Sequence, residues 1–129
     1  MLLDLDVGFA ILAAFLGVVE FFMHVHEHYR FHIEALSQAL KAHCLWPSIR
    51  PPETAFLSTT PFAVDTMAFE SWLAFIFIPK METLIARNAP LPPMEIAPAA
   101  EVYLSPCPLP IMTIIKKLDA LSMEQANAF

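Results

Sequence analysis

Apolar side chains in the first third of the chain recur at a helical spacing. Between Phe22 and Leu40 they are separated by three or four residues, which places them along one face of an α-helix while polar residues occupy the other faces. The pattern predicts a long helix that begins at about Val7, or at Met23, and ends near Cys44. The positions on the apolar face are Phe22, Val25, Tyr29, Ile33, Leu36 and Leu40.

A second helix is predicted from about Asp65 to Arg87. Its middle, residues 72–78, is an uninterrupted apolar run, and a helix that is apolar on all sides must be covered by other parts of a protein. Seven residues are too few to cross a bilayer, so lipid is not the expected cover. Pro79 follows the run, and because proline lacks a backbone N–H it predicts a kink at that point.

Two further helices are predicted in the last third of the chain. A short one opens at Pro98, and a longer one begins at about Pro110 with apolar residues at helical spacing. Proline-rich stretches separate the helices, and no alternating strand pattern is present in the sequence. The predicted fold is all-α, a small helical bundle of three main helices plus a short fourth, connected by proline-rich straps.

Composition and charge agree with this prediction and exclude some functions. The chain is 57% hydrophobic and 16% charged, with two glycines and twelve prolines, which suits stiff loops between helices better than tight hairpin turns. A formal charge of −6 disfavours direct binding to nucleic acid, because that binding requires a basic surface. Cys44 and Cys107 are distant in sequence and are expected to be free thiols.

Residues 1–22 form an apolar N-terminal extension before the proposed domain, residues 23–129. Residues 7–23 are the most hydrophobic stretch but contain Glu20 and fall short of the usual transmembrane length. Three interpretations stay open: a membrane anchor, a helical segment continuous with the helix that follows, and a start codon assigned upstream of a true start at Met23.

A row of histidines in the first helix suggests metal binding as an alternative function. His24, His28 and His32 are spaced four residues apart, so they lie near one another along the helix, and such a pair can chelate a transition metal. The HExxH signature of metalloproteases is absent, because Arg30 stands where the second histidine belongs. Exposed histidines on a polar flank are the simpler explanation of the row.

The sequence contains no convincing catalytic constellation. His43 and Cys44 point about 100° apart on a helix, so they cannot form a nucleophile–base pair with each other. Cys44 is expected to be a buried small side chain. Asp65 is interpreted as the cap of the second helix, its carboxylate accepting N–H groups of the first turn. We therefore predict a non-catalytic protein without a cofactor.

The aromatic part of the second helix predicts a candidate apolar groove near the expected kink. A cluster of aromatic and apolar side chains there can receive a partner helix or a small apolar ligand. The alternative is that these side chains are ordinary core. The candidate residues are Phe62, Trp72, Phe75, Phe77, Pro79, Lys80 and Met81.

Motifs spread over residues 27–123 resemble the YqcC-like family of small bacterial helical proteins. They are LW, STTPF, DTM-F-SWL, FIPKM--LI, PLP---I-P-AE-Y and LDAL, in consistent order and spacing. Lys80 and Val102 depart from the expected family pattern of an arginine and an acidic residue. Lysine carries a point charge, so a role that needs a bidentate arginine is not supported at Lys80.

The resemblance implies a helical-bundle domain whose biochemical function is unassigned. Members of the family are often encoded beside a tRNA pseudouridine synthase, which makes that enzyme the candidate protein partner. The chain itself is not expected to be such an enzyme, because those enzymes resemble larger α/β proteins. The expected location is the cytoplasm, with association with the inner membrane as the alternative, and self-association stays open.

Overall fold

The computed structural model describes the backbone of residues 2–127, and within that range the side chains of residues 11, 12, 14–17 and 24–124. Five α-helices occur in this part of the chain, and the described backbone contains no β-strand. The all-α bundle predicted from the sequence is therefore confirmed. The α-helices are α1 (Leu2–Ala42), α2 (Phe69–Trp72), α3 (Ile78–Ala86), α4 (Ala97–Tyr103) and α5 (Leu109–Asn127).

Helix α1 is the longest helix of the described chain, and its second half contributes to the core. Helices α3 and α5 pack against α1, and α4 packs against α5. The face of α1 with a spacing of three and four residues is buried from Val25 to Leu40, as the sequence pattern predicts. Before that point, the described side chains of Ile11 and Phe15 are 66% and 63% exposed.

The second predicted helix is present but begins later than expected. Helix α2, a π-helical turn (Leu73–Phe77) and α3 follow one another without a break. The prediction that Asp65 caps this helix is wrong, because Ala68 precedes the first residue of α2 and no side chain caps that end. The Asp65 carboxylate instead accepts a hydrogen bond of 2.5 Å from the Ser58 hydroxyl. That bond is the main reason why the pKa of Asp65 lies below its ordinary value.

The all-round apolar run of the second helix is covered by protein, as predicted. Phe77 and Ile78 are each 3% exposed, while Phe75 is half-buried. The guanidinium of Arg50 lies 5.8 Å from the centre of the Phe75 ring, a distance compatible with a cation–π contact. The apolar run is thus an internal helix in which Trp72, Phe75 and Ile76 are partly exposed.

Two short 3₁₀ turns, Glu53–Leu57 and Pro61–Ala63, occupy the strap between α1 and α2. Cys44, two residues after the end of α1, adopts the left-handed conformation (φ 58°). Its side chain is exposed and its thiol is free. The prediction of a free thiol is confirmed, while the prediction of a buried Cys44 is wrong, because the end of the helix turns this residue outward.

Candidate functional site

A groove of about 380 Å³ lies between the second helix and the proline-rich strap that follows α3. Its volume falls within the range of about 300–1,000 Å³ that binding sites usually occupy. The helix supplies one wall, the strap supplies the other, and the 3₁₀ turn before α2 contributes one aromatic ring. The lining residues are Phe62, Trp72, Ile76, Phe77, Lys80, Met81, Pro92, Pro93, Met94, Glu95 and Ile96.

The helix wall is shaped by the π-helical turn at Leu73–Phe77. The backbone N–H of Ile78 donates to the carbonyl of Leu73, five residues earlier. The residue after Ile78 is Pro79, which has no N–H to donate and whose ring would press on the carbonyl of Phe75 in a regular α-helix. The wider turn accommodates the proline without ending the helix.

Aromatic rings line the end of the groove nearest to α2. The Phe62 and Trp72 rings meet edge to face, with centroids 4.9 Å apart, and Trp72 stacks on Phe77 at 5.5 Å. Buried Phe69 lies behind them and stacks on Trp72 at 5.7 Å. Ring pairs at these distances stabilise one another beyond simple burial, so this wall is a packed surface.

Phe62 reaches the groove from a strained backbone conformation. Its φ is 60° and its ψ is 14°, a left-handed conformation that is rare for a bulky residue. The next residue, Ala63, also has a positive φ of 48°. Such strain persists only where the surrounding structure enforces it, and here the contacts of the Phe62 ring with Trp72 and Phe69 do so.

The strap wall is held in place by two side chains of α5. The Asp119 carboxylate accepts the backbone N–H groups of Ile96, at 2.9 and 3.0 Å, and of Ala97, at 2.8 Å. The Ser122 hydroxyl accepts the N–H of Met94 at 2.9 Å and donates to the carbonyl of Asp119 at 2.7 Å. Residues 94–97 are therefore fixed to α5 through their backbone.

Burial raises the pKa of Asp119 above its ordinary value, although the N–H groups of Ala97 and Ile96 partly oppose the shift. The negative charge of Glu95 adds a smaller upward contribution. Asp119 is half-buried because the strap crosses over α5 at this point.

Helix α1 also supports this strap. The hydroxyl of buried Tyr29 donates to the sulfur of Met94 at 3.7 Å. Burial, and secondarily the charge of Asp119, raises the pKa of Tyr29 well above its ordinary value. His26, also on α1, is 4% exposed and lies 2.7 Å through its Nε2 from the carbonyl of Ala89, so the start of the strap is held to the same helix.

Charged side chains occur on both walls of the groove. Lys80 projects from the helix wall and Glu95 from the strap wall, and both residues are exposed. Neither forms an ion pair with another residue in the described part of the chain. An apolar floor between two opposite charges suits a ligand that is amphipathic.

The groove contains five of the seven residues that the sequence pattern singles out. Phe62, Trp72, Phe77, Lys80 and Met81 line it. Two do not: Phe75 faces Arg50, and Pro79 is exposed outside the lining. Sequence reasoning missed Ile76 and the whole strap wall, residues 92–96, although the strap lies within the motif PLP---I-P-AE-Y.

The histidine row does not assemble a metal site. The rings of His24 and His28 are 4.2 Å apart, whereas His32 lies against Phe31 with 5.3 Å between centroids. Burial, and then the positive charges of Lys117 and His28, lowers the pKa of His32. Within the described residues, no group of three or more histidine, cysteine, aspartate or glutamate side chains is placed to hold a metal ion.

The alternative of a membrane anchor in residues 7–23 is not supported by the described helices. None of them has the combination of length and apolar character that crossing a bilayer requires. The backbone of this segment belongs to α1, continuous with the helix that follows. The side chains of residues 7–10, 13 and 18–23 lie outside the described ones.

Comparison with known proteins identifies relatives along most of the chain. A family model described as tRNA pseudouridine synthase C matches residues 28–122. Uncharacterized protein YqcC of Escherichia coli K12 is 35% identical over 109 residues, which cover 81% of this chain and all of that protein. An uncharacterized protein of Haemophilus influenzae is 41% identical over 61 residues, covering 47% of this chain and 58% of that protein.

Two further similarities concern a solved structure and a longer protein. The solution NMR structure of Escherichia coli YqcC matches with a TM-score of 0.69 and 34% identity, over 78% of this chain and 90% of that one. A tRNA pseudouridine synthase C from Pectobacterium carotovorum is 40% identical over 57 residues, which cover 44% of this chain but 15% of that protein. The matches to the family model and to YqcC over its full length show that this chain belongs to the YqcC-like family.

Proposed function

We propose that the chain is a non-catalytic interaction module that binds a protein partner through the groove between the second helix and the strap. The chemistry of the groove supports binding over catalysis. Of the described residues that line it, only Lys80 and Glu95 carry groups that exchange protons, and they stand on opposite walls. General acid–base or nucleophilic catalysis needs a positioned pair of reactive groups, and the lining offers aromatic and aliphatic side chains instead.

The candidate partner is a tRNA pseudouridine synthase. The observation that carries this proposal is the similarity to the Pectobacterium carotovorum protein of that name. The 57 matching residues are 15% of that protein, so it is about 380 residues long and most of it lies outside the similarity. A segment similar to this chain thus occurs within one polypeptide that bears the enzyme's name. Two domains that share a polypeptide in one organism can act together as separate chains in another.

Binding between two purified proteins tests this proposal directly. The full-length chain is titrated with tRNA pseudouridine synthase C from the same organism in a calorimeter, and we expect a saturable one-to-one complex. The enzyme is then assayed on tRNA with and without the chain, while the chain alone is expected to form no pseudouridine. Absence of a complex at micromolar concentrations, or pseudouridine formation by the chain alone, would refute the proposal.

A groove variant and a matched surface variant locate the binding face. Ile76→Glu places a charge among the lining residues and is expected to abolish binding. Leu57→Glu makes the same chemical change at a side chain that is 78% exposed and outside the groove, and it is expected to bind as the unmodified chain does. Circular dichroism of both variants verifies that each remains folded.

A further inference from the structure

The strap wall has little backbone hydrogen-bonding capacity left for a ligand. Pro92 and Pro93 have no N–H group. The N–H of Met94 already donates to Ser122, and the N–H of Ile96 already donates to Asp119. A ligand that binds as an added β-strand requires a row of free N–H and carbonyl groups along the wall, and this strap does not present a row of free N–H groups.

The opposite wall is equally closed to backbone pairing. It is made of α2, the π-helical turn and α3, in which backbone groups bond within the helix. What both walls offer is side chains: the rings of Trp72 and Phe77 on one and Pro92 and Pro93 on the other. Recognition in this groove must therefore proceed through side chains of the ligand, and the ligand must satisfy its own backbone.

We infer that the groove takes an amphipathic α-helix of the partner protein, with apolar side chains seated between the walls and charges of both signs at its edges. A helix satisfies its own backbone hydrogen bonds and presents apolar anchors three and four residues apart to a hydrophobic groove. The inference rests on the proposed function, which supplies the partner, and it specifies the chemistry of the segment that binds.

Charge complementarity defines the edges of this helix. The ammonium group of Lys80 calls for a carboxylate on the side that faces α3, and the carboxylate of Glu95 calls for an arginine or lysine on the side that faces the strap. Neither Lys80 nor Glu95 has an ion-pair partner among the described residues. Charges at the rim of an interface act mainly on orientation and on the association rate, so they select which helix binds and in which direction.

The experiment combines hydrogen exchange with charge reversal, and the probe is tRNA pseudouridine synthase C from the same organism. Hydrogen exchange of the complex is expected to protect lining residues of the groove and one segment of the synthase with an i, i+3, i+4 apolar pattern. Lys80→Glu is expected to weaken binding roughly fivefold at low salt. Lys116→Glu, the same change at an exposed lysine of α5 outside the groove, is expected to leave the affinity within about twofold of the original.

Reversal of the acidic residue in the protected segment to lysine is expected to restore the affinity of the Lys80→Glu variant. A complex in which the protected synthase segment is extended, or in which Lys80→Glu and Lys116→Glu have equal effects, would overturn the inference while leaving the proposed function intact. Failure of the synthase to bind at all would overturn both.

Discussion

The Asp119 carboxylate of α5 lies 2.9 Å from the backbone nitrogen of Ile96, immediately before α4 begins. It also accepts the N–H of Ala97, the first residue of α4. The first N–H groups of a helix have no partner within that helix, and a residue 23 positions later in the chain supplies one here. One carboxylate thereby caps α4, joins it to α5 and fixes the strap wall of the groove.

Removal of this carboxylate is expected to destabilise the protein. Asp119→Ala leaves two partly buried N–H groups without an acceptor, at a cost of about 1–3 kcal/mol in the free energy of unfolding. Asp119→Asn keeps one acceptor oxygen and should lose less. Urea unfolding of both variants measures the difference, and Glu124→Gln, an exposed position on the same helix, serves as the control. Equal midpoints for Asp119→Ala and the control would contradict the proposed role.

The raised pKa of Asp119 predicts a specific pH dependence of stability. Because burial raises the pKa in the folded state, the folded protein holds this proton at pH values where the unfolded chain has released it. The stabilising contribution is fully present below the unfolded pKa, about 3.8, and is lost as the pH rises through the folded pKa. We therefore expect the unmodified protein to gain stability relative to Asp119→Asn, measured as the free energy of unfolding, as the pH falls from neutral to ~4.

Urea titrations of the two proteins at matched pH values measure this difference. Since every other titrating group is shared, the difference isolates Asp119. A difference that is constant with pH would show that burial of this carboxylate does not shift its protonation.

Local periodicity predicted the helices, whereas contacts between distant segments had to be observed. The stripe from Val25 to Leu40 was predictable because a spacing of three and four residues has one structural solution. The role of Asp119 was not predictable, because a lone aspartate in a helical pattern is normally expected to face solvent. Only the path of the strap across α5 converts it into a cap.

The same difference between local periodicity and distant contacts explains which wall of the candidate groove could be predicted. Trp72, Phe77 and Met81 could be assigned to one wall because they belong to one helix. The opposite wall, residues 92–96, lies in an irregular proline-rich segment without periodicity, so nothing in its local pattern shows which face it covers. The histidine row shows the same limit: helical spacing brings His24 and His28 together, but a further ligand depends on contacts that the local pattern does not specify.

The ends of α1 and α3 each place a residue other than glycine in the left-handed conformation. Cys44 and Asn88 have φ values of 58° and 52°, and each follows its helix as the left-handed residue of a Schellman motif. The N–H of the next residue donates to a carbonyl five positions back, Leu45 to Leu40 and Ala89 to Leu84. Glycine adopts this conformation without the steric cost that a Cβ imposes.

Cys44→Gly is expected to raise the free energy of unfolding by about 0.5–1 kcal/mol, the relief of left-handed strain less the added flexibility of the unfolded chain. Cys44→Ala removes the thiol but keeps the Cβ, and it is expected to give no such gain. Thermal unfolding of both variants under reducing conditions compares them. A higher melting temperature for both would assign the effect to the thiol instead of the backbone.

Deletion of residues 1–22 is expected to leave the bundle folded. Val25 is the first of the described residues in the buried core, and the side chains of Ile11, Leu12, Phe15 and Leu16 are at least half exposed. Residues outside the core contribute little apolar burial, so the change in the free energy of unfolding should stay within about 0.5 kcal/mol. Circular dichroism and urea unfolding of the shortened chain, Met23–Phe129, measure this directly.

Substitution of a core residue provides the contrast for this deletion. Leu36 is fully buried on α1, and Leu36→Ala in the full-length chain is expected to cost about 2–5 kcal/mol, because it removes a buried side chain and leaves a cavity. If the deletion destabilises the protein as much as Leu36→Ala does, residues 1–22 must contact the bundle, and residues 23–129 are not an independent folding unit. If the deletion is neutral, residues 23–129 fold as an independent unit.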